Sequence, residues 1–400
     1  MPGLLDGIRV LDLTTVLAGP FAGYQLALFG ADVLKIEIPG TGDLAREMGE
    51  DDELKSVSMG ASFLAQNAGK RSITVDLKHP DGRALFSRLL AQADVLLENM
   101  RPGVLARLGF AWEAVHEINP ALVYCAVSGF GQDGPLAGRP AYDQIIQGLA
   151  GLSDVTGAPN GGPSRIGFPI CDTLGGFAAT MAICAALTHR ERSGVGSFLD
   201  VSMLETALTA TGWVASDELI ADHRARRHGN HNATSSPSGT FVTGEGLLNI
   251  AANTQTQFEA ICKVVGRDDL VSDARFLTRG DRKANRDSLT VELESALAAH
   301  TALEWEVLLA EVSVPAGRVL SLSSALAQDQ VRARGLVHDI TMDLPGRDHV
   351  SLLGSGVHVN GEVLAPAFAP PTRGQHTDEV LVDLGYSLEE IERLRDEHVI

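Results

Sequence analysis

The chain has 400 residues, 44% hydrophobic and 21% charged, so it can bury a sizeable core and is not disordered. Its net charge of −19 argues against nucleic acid as a partner, because phosphate backbones bind basic surfaces. Four cysteines lie in apolar runs without a CxxC pair, which argues against a zinc site or disulfide framework and favours a reducing cytoplasm.

The N-terminal segment MPGLLDGIRV lacks a basic stretch followed by an apolar one, so no secretory signal is predicted. The longest uncharged apolar stretch, residues 173–188, is shorter than a membrane span requires. We therefore expect no membrane association.

Residues 1–220 alternate between strand-like and helix-like segments. The runs IRVLDLT (8–14) and DVLKIEI (32–38) predict strands on either side of the helix-like GPFAGYQLALFGA. Further strands are predicted at SITVDL, DVLLEN, ALVYCAVSG and SFLDVSM, and a long helix from Thr173. This alternation is typical of an α/β domain with a parallel sheet.

The composition changes after residue 220. Residues 221–240 are polar and predict a linker or long functional loop. Residues 241–330 contain a strand and two amphipathic helices, which indicates a second, smaller domain. Residues 331–400 then form a return segment that ends in a charged helix.

Several motifs have an ordinary interpretation that outweighs a functional one. GFGQDG (129–134) has the spacing of a dinucleotide fingerprint, but prolines follow where a helix should begin, so a loop is predicted. AGPFAG lacks the G-x-G spacing, which makes NAD binding a minority interpretation. His223, His228 and His231 lack metal-ligand spacing, and no metal site is predicted. Cys171 is more typical of packing than of a nucleophile.

One aspartate stands out in the segment FPICDTLGG. Asp172 lies between an apolar run and two glycines, at a predicted helix start. It can be an ordinary N-cap or a nucleophile, with Gly175 and Gly176 allowing a ligand to approach closely. From these patterns alone the cap is favoured. Basic residues such as Lys70 and Arg101 near strand ends can hold phosphates, or can be ordinary surface charge.

The chain resembles the class III CoA-transferases, the family of formyl-CoA transferase and carnitine CoA-transferase, nearly end to end. The similarity rests on many segments, among them LLDGIRVLDLT, AGPFAGYQLALFGADVLKIE, NAGKRSITVDLK, ADVLLENMRPGVLARLGF, YDQIIQGLAGL and VPAGRV. It implies a Rossmann-like large domain (1–220 and 331–400), a small α+β domain (241–330) and an interlocked homodimer.

The resemblance also implies the chemistry. Asp172 matches the catalytic nucleophile, which exchanges CoA through an aspartyl anhydride and an aspartyl-CoA thioester. The CoA thioester is a substrate, and no tightly bound metal or redox cofactor is needed. The predicted CoA-binding residues are Lys70, Asn99, Met100, Arg101, Arg107, Tyr142 and Asp143, with Arg107 at a phosphate.

Departures from the family narrow the expected substrate. Formyl-CoA:oxalate enzymes have a glutamine where this chain has Leu17 and a basic residue where it has Ile38. They also have a polyglycine loop, whereas the corresponding residues 234–240 contain no run of glycines. Oxalate is therefore doubted as the acceptor. The racemase branch has histidine at Tyr142, and its loss favours transfer over racemisation. The resemblance implies a CoA-transferase that moves CoA from an acyl-CoA donor such as succinyl-CoA to a small carboxylic or dicarboxylic acid. The alternatives are an acyl-CoA racemase or epimerase and a non-catalytic CoA-binding protein.

Overall fold

The computed structural model describes residues 3–400 and divides into two compact units. The first contains the chain up to Leu152, Arg165–His223 and Asp329–Ile400, and the second contains Ser153–Ser164 and Arg224–Gln328. The sequence-based division differs, since it assigned residues 153–164 to the large domain and 221–240 to a linker. Polar contacts explain the difference: Arg227 donates to the Asp154 carboxylate at 2.8 Å, and Arg286 donates to the Asn232 carbonyl at 2.6 Å.

A six-stranded parallel sheet forms the centre of the first unit, in the order β3-β2-β1-β4-β5-β6. Strand β1 lies between β2 and β4, with Val10 opposite both Val33 and Val95. The strand order therefore reverses between β1 and β4, and ligands of open α/β sheets bind at such a switch point. The strands are β1 (Arg9–Asp12), β2 (Asp32–Glu37), β3 (Lys70–Thr74), β4 (Val95–Glu98), β5 (Val123–Ser128) and β6 (Phe198–Ser202).

Helices cover both faces of this sheet, and their apolar residues form separate cores with it. In chain order, the helices up to residue 221 are α1 (Ala18–Leu28), α2 (Asp52–Ser56), α3 (Ala61–Asn67), α4 (Pro80–Leu90), α5 (Val104–Arg107), α6 (Trp112–Ile118), α7 (Asp143–Leu149), α8 (Leu152–Val155), α9 (Ile170–Ser193), α10 (Met203–Ala210) and α11 (Gly212–Ala221), with a 3-10 helix at Leu44–Glu47. All but the first residue of α8 belong to the second unit.

The glycines of AGPFAG allow α1 to approach β1 closely. A Cβ atom at Gly19 would lie 2.3 Å from the Thr14 side chain, and one at Gly23 would lie 2.6 Å from the Asp12 carboxylate. The motif therefore serves helix packing in this structure. GFGQDG lies in a loop before α7, and Ser128 and Asp200 accept hydrogen bonds from its backbone.

Helix α9 is the longest of the described helices and begins at Ile170 rather than at the predicted Thr173. By length and composition it is apolar enough to cross a membrane, a property that core helices of soluble proteins share. Its residues Ala179, Ile183 and Leu187 are buried in the core on one face of the sheet.

The second unit contains a three-stranded antiparallel sheet with helices packed around it. The second of the two helices predicted for residues 241–330 is a long one that begins at Ala284. In the structure it is two helices, because Thr301 begins a new one through a capping box with Glu304. The elements are β7 (Ser238–Val242), β8 (Leu247–Ala251), α12 (Gln255–Val264), α13 (Asp269–Ser272), α14 (Arg279–Ala284), α15 (Arg286–Leu297), α16 (Ala302–Glu311), β9 (Ala316–Arg318) and α17 (Leu322–Leu326).

The C-terminal segment returns to the first unit. Val380 and Leu381, with Ile391 and Leu394, join the core beside β1–β5. The predicted single charged helix is two helices separated at Gly385, which has a left-handed φ of 84°. The elements are α18 (Asp329–Ala333), β10 (Val337–Leu344), β11 (Arg347–Leu353), β12 (His358–Val359), β13 (Glu362–Val363), α19 (Thr377–Asp383) and α20 (Leu388–Asp396).

Candidate active site at the switch point of the sheet

A cavity of about 290 Å³ lies at the carboxyl ends of β1, β4 and β5. Its walls are the segment after β1 (Thr15–Ala18), the segment after β4 (Asn99–Pro102), the loop before α7 (Ala137–Tyr142) and the first turn of α9 at Asp172. The reversal of strand order thus brings together segments that are far apart in the sequence. We call this space the switch-point cavity.

Asp172 is the third residue of α9, so the predicted N-cap role is wrong. The residue before the helix is Pro169, and no side chain caps this end. The half-buried Asp172 carboxylate forms no hydrogen bond or ion pair within residues 3–400. Burial and the nearby Asp143 carboxylate raise its pKa to about 7. Asp172 therefore presents an unpaired carboxylate to the cavity.

Asp143 is a buried residue whose two oxygens already have protein partners. One accepts the backbone N–H of Cys171 at 2.8 Å, and the other accepts the Gln147 side-chain amide at 2.7 Å. Gln147 in turn accepts from the Ile166 N–H at 2.8 Å. Asp143 therefore fixes the backbone beside Asp172, an arrangement that differs from the predicted CoA contact. Its neighbour Tyr142 is exposed at the cavity wall.

The two glycines after Asp172 do not make room for a ligand, contrary to the sequence interpretation. Both are buried, and a Cβ atom at Gly176 would lie 2.7 Å from the Ala18 carbonyl oxygen and 2.7 Å from the Phe21 ring. A Cβ at Gly175 would lie 3.1 Å from Met203. Gly176 lets α9 pack closely on α1, and Gly175 lets it pack on Met203 at the start of α10. The first turns of α1 and α9 therefore lie at the same cavity.

Lys70 does not line the cavity, which contradicts its prediction as a CoA contact. Its ammonium is completely buried and donates to the Asp12 carboxylate at 2.8 Å, the Pro20 carbonyl at 2.9 Å and the Asn67 amide oxygen at 2.9 Å. An ammonium has three donors, and these partners use all of them. Lys70 is therefore a structural residue beneath α1.

Asn99 holds the segment after β1 in place. Its side-chain oxygen accepts from the Thr15 N–H at 2.8 Å, and its amide donates to the Thr15 carbonyl at 2.8 Å. The clamp joins the carboxyl ends of β1 and β4 across the switch point. Its neighbours Met100 and Arg101 line the cavity, so the predicted trio Asn99–Arg101 lies together.

A second, largely apolar cavity of about 600 Å³ adjoins the first through Thr15 and Met100. It is lined by Ile36–Gly40, Val75–Lys78, Val104 and Leu108, among others. Arg107 lies at the end of α5 between these last two residues, and its guanidinium is exposed. We call this space the apolar cavity.

The sequence interpretation missed Arg139, an exposed residue that lines the switch-point cavity and has no ion pair among the described residues. Its signal was its place in the loop after β5, since such loops lie at the ligand-binding edge. Glu98 was also missed. It is buried at the end of β4, where burial raises its pKa to about 7, and it accepts from the Met100 N–H at 2.6 Å.

Comparison with known proteins identifies the family. The model of CoA-transferase family III matches residues 5–377. The chain is 35% identical to mouse succinyl-CoA:glutarate CoA-transferase over 98% of this chain and 88% of the relative. It is 39% identical to acetyl-CoA:oxalate CoA-transferase of Acetobacter aceti over 84% of this chain and 85% of the relative.

A solved structure supports the same relationship. A CAIB/BAIF family protein from Brucella suis superposes with a TM-score of 0.85 at 33% identity, covering 96% of this chain and 100% of that one. The predicted family and the mixed α/β fold with a parallel sheet are therefore confirmed. The chain belongs to CoA-transferase family III and is an enzyme of the transferase class.

Proposed function

We propose that the protein moves CoA from an acyl-CoA donor to a small carboxylic or dicarboxylic acid, with the Asp172 carboxylate as nucleophile. The observation that carries this proposal is the unpaired Asp172 carboxylate in the switch-point cavity, facing the first turn of α1. A nucleophile needs free oxygens, and Asp172 has them, whereas both oxygens of the neighbouring Asp143 are taken by the Cys171 N–H and the Gln147 amide.

The reaction then proceeds through two covalent intermediates on Asp172. The carboxylate attacks the thioester carbonyl, an acyl anhydride forms, and CoA leaves as thiolate. The thiolate attacks the aspartyl carbonyl, which yields an aspartyl-CoA thioester and releases the donor acid with one oxygen from Asp172. The acceptor carboxylate reverses these steps and leaves one of its own oxygens on Asp172.

The first turn of α1 supplies the donors for the oxyanions of these steps. The backbone N–H groups of Leu17 and Ala18 have no hydrogen-bond acceptor within residues 3–400, and both residues line the cavity that contains Asp172. Unsatisfied N–H groups at a helix start stabilise negative charge, and more strongly where water is excluded.

CoA is proposed to lie across both cavities. The adenine suits the apolar cavity, where Ile38 and Pro39 form part of the lining, and the pantetheine passes Thr15 and Met100 toward Asp172. The exposed guanidinium of Arg107 lies on the adjoining helix and is free to contact a phosphate. Arg101 and Arg139 line the same cavity and supply positive charge for the carboxylate substrates.

Succinyl-CoA and a small dicarboxylic acid remain the proposed substrates. The two relatives act on glutarate and oxalate by their names, so a dicarboxylate acceptor is supported. Oxalate belongs in the acceptor screen, although Leu17 and Ile38 differ from the pattern of formyl-CoA:oxalate enzymes.

We also propose a homodimer in the cytoplasm. Helix α11 has no buried residue, and its Trp213, Leu219 and Ile220 are each more than 80% exposed, which supports a partner surface of the same chain. The four free cysteines suit a reducing compartment. Light scattering and mass photometry test the first of these proposals.

Trapping of the intermediate tests the function. We expect succinyl-CoA followed by hydroxylamine to leave a hydroxamate at Asp172, and ¹⁸O-labelled acceptor acid to transfer one ¹⁸O to Asp172, both read by peptide mass spectrometry. Asp172→Asn should show neither. Asp133→Asn is the matched control, since this exposed loop carboxylate forms no hydrogen bond or ion pair within residues 3–400. If Asp172 carries no ¹⁸O, and a reaction in deuterated water places deuterium on the α-carbon of the acyl group, the enzyme is a racemase and the proposed transfer is wrong.

A further inference from the structure

Val16 has a backbone conformation that its side chain disfavours. Its φ is +69°, in the left-handed region, which β-branched residues rarely occupy. Val16 lies in the turn between β1 and α1 and lines the switch-point cavity together with Leu17 and Asp172. Such a conformation persists only where the surrounding structure imposes it, and it is often found at functional sites.

The surrounding structure holds this turn at three successive residues. Thr14 donates its N–H to Asp12 at 2.9 Å and accepts at its carbonyl from the Lys35 ammonium at 2.8 Å. Thr15 is held at both its N–H and its carbonyl by Asn99. The Val16 N–H donates to the Asp43 carboxylate at 3.0 Å, so each residue of the turn has its own tether.

Asp43 connects this turn to a buried ion pair. Its carboxylate is completely buried and lies 2.8 Å from the Lys35 ammonium. The same carboxylate accepts from the Ala45 N–H at 2.9 Å, and the Asp43 N–H donates to Glu37 at 2.9 Å. Asp43 is thus fixed from several sides and reaches Val16 from across the sheet edge. A buried ion pair contributes little net stability compared with an apolar pair, so a role beyond stability is a reasonable hypothesis.

The other side of the turn is fixed by close helix packing. Because Gly176 has no side chain, the Ala18 carbonyl at the first turn of α1 lies directly against α9. The direction in which the chain enters α1 therefore depends on the turn at Val16. That direction sets where the N–H groups of Leu17 and Ala18 point relative to Asp172.

We infer that Asp43 is a positioning residue for the reaction: it holds Val16 in the left-handed conformation and so aims the first turn of α1 at the carbonyl that reacts with Asp172. This inference rests on the proposed function. The buried Lys35–Asp43 pair then helps to place the backbone N–H donors of Leu17 and Ala18 for the transition state. A displacement of about 1 Å at such donors costs on the order of 10²-fold in rate.

The test compares Asp43→Ala with Asp43→Asn, and then adds a glycine. Asp43→Ala removes the acceptor for the Val16 N–H, and we expect kcat to fall roughly 100-fold while KM for acyl-CoA changes less than about threefold. Asp43→Asn keeps an acceptor oxygen and should retain at least about tenfold more of kcat. Val16→Gly in the Asp43→Ala background should recover at least about tenfold, because glycine adopts the left-handed turn without a tether.

The matched control for this rescue is Ser313→Gly in the Asp43→Ala background. Ser313 also has a left-handed φ, of +59°, but lies in the second unit. It should raise the melting temperature without raising kcat. Equal rescue by both glycines, or a folded Asp43→Ala enzyme with kcat within about threefold of the parent, would overturn the inference.

Asp43→Ala leaves the buried Lys35 without its ion-pair partner, so this variant can fail to fold. A second variant then tests the inference. Asn99→Ala releases Thr15 without stranding a buried charge, and it should also lower kcat and be rescued by Val16→Gly. Absence of rescue would overturn the inference. Asp172→Asn separates the two proposals: if this variant keeps its activity, the proposed function fails, whereas an inactive Asp172→Asn with fully active Asp43 and Asn99 variants removes only the inference.

Discussion

Two regions at the same edge of the sheet differ in whether their carboxylates have a cation as partner. At the ends of β1 and β2 and in the segment that follows β2, each buried carboxylate has a cation: Asp12 lies 2.8 Å from Lys70, Glu37 2.7 Å from Arg46 and Asp43 2.8 Å from Lys35. In the first turn of α9, Asp172 has no cation and no donor within the described residues. The charged group that acts on it is another acid, Asp143.

The difference shows in the acidity of the groups. Burial alone would raise the pKa of Asp12 and Glu37, but the lysine and arginine charges outweigh it and lower both. Burial raises the pKa of Asp172 to about 7 because no such charge opposes it. The oxygens of a paired carboxylate are occupied by its structural partners, whereas those of an unpaired carboxylate can react with a substrate.

The largest expected effect is the loss of the unpaired carboxylate. We expect Asp172→Asn to lower kcat by at least about 10⁴-fold while the circular dichroism spectrum stays unchanged, since the side chain has no partner to lose. A coupled assay of succinyl-CoA with glutarate measures this, with Asp133→Asn as the control. Residual activity within about tenfold of the parent would remove Asp172 from the reaction.

The next effect concerns a paired group. Lys70→Met strands the Asp12 carboxylate in the interior, so we expect the free energy of unfolding to fall by about 3–5 kcal/mol. Urea denaturation measures this loss. Arg71→Met, which breaks only half-exposed pairs with Asp32 and Glu379, should cost about 0–1 kcal/mol. Unchanged stability with a tenfold higher KM for CoA would instead return Lys70 to the CoA site.

The contrast also explains what could be predicted from the sequence. The alternation of strands and helices is a local pattern, so the sheet strands were placed within a few residues and Asp172 was located at a helix start. Ion pairs and glycine contacts join residues that are far apart in the chain. Lys70 and Asp12 are 58 positions apart, and no periodicity reveals that they meet.

The same limit applies to the turn before α1. Nothing in the local sequence TTVLAG requires a left-handed valine, because the turn is held by Asp43, 27 positions after Val16, and by Asn99, 84 positions after Thr15. The two glycines after Asp172 were misinterpreted for a related reason. Gly176 contacts α1 and Gly175 contacts Met203 of α10, and only the tertiary structure shows that the space is filled.

A smaller effect is on stability, because replacing Asp172 should stabilise the folded protein, whereas most mutations destabilise it. The raised pKa means that the folded state disfavours the Asp172 anion. Below the unfolded pKa near 4 the carboxyl is protonated in both states and costs no free energy of unfolding. As the pH rises through about 7 the folded protein must carry the buried anion, and its stability falls. We therefore expect Asp172→Asn to stabilise the free enzyme by about 2 kcal/mol at pH 8, a figure discounted from ~1.4 kcal/mol per pKa unit because the group is half-buried. The gain should shrink at pH 5 in urea titrations, and a destabilised variant at pH 8 would contradict the unpaired environment.

The smallest effect is a shift of the pH profile. Because the nucleophile acts as its anion, we expect kcat/KM for acyl-CoA to fall about tenfold per pH unit below a pKa near 7. Asp143 raises this pKa through its negative charge, so Asp143→Asn should move the acid limb to lower pH. Asparagine keeps an acceptor for the Cys171 N–H, so the start of α9 stays in place. An acid limb that stays at the same pH would mean that Asp143 acts on Asp172 through backbone position alone.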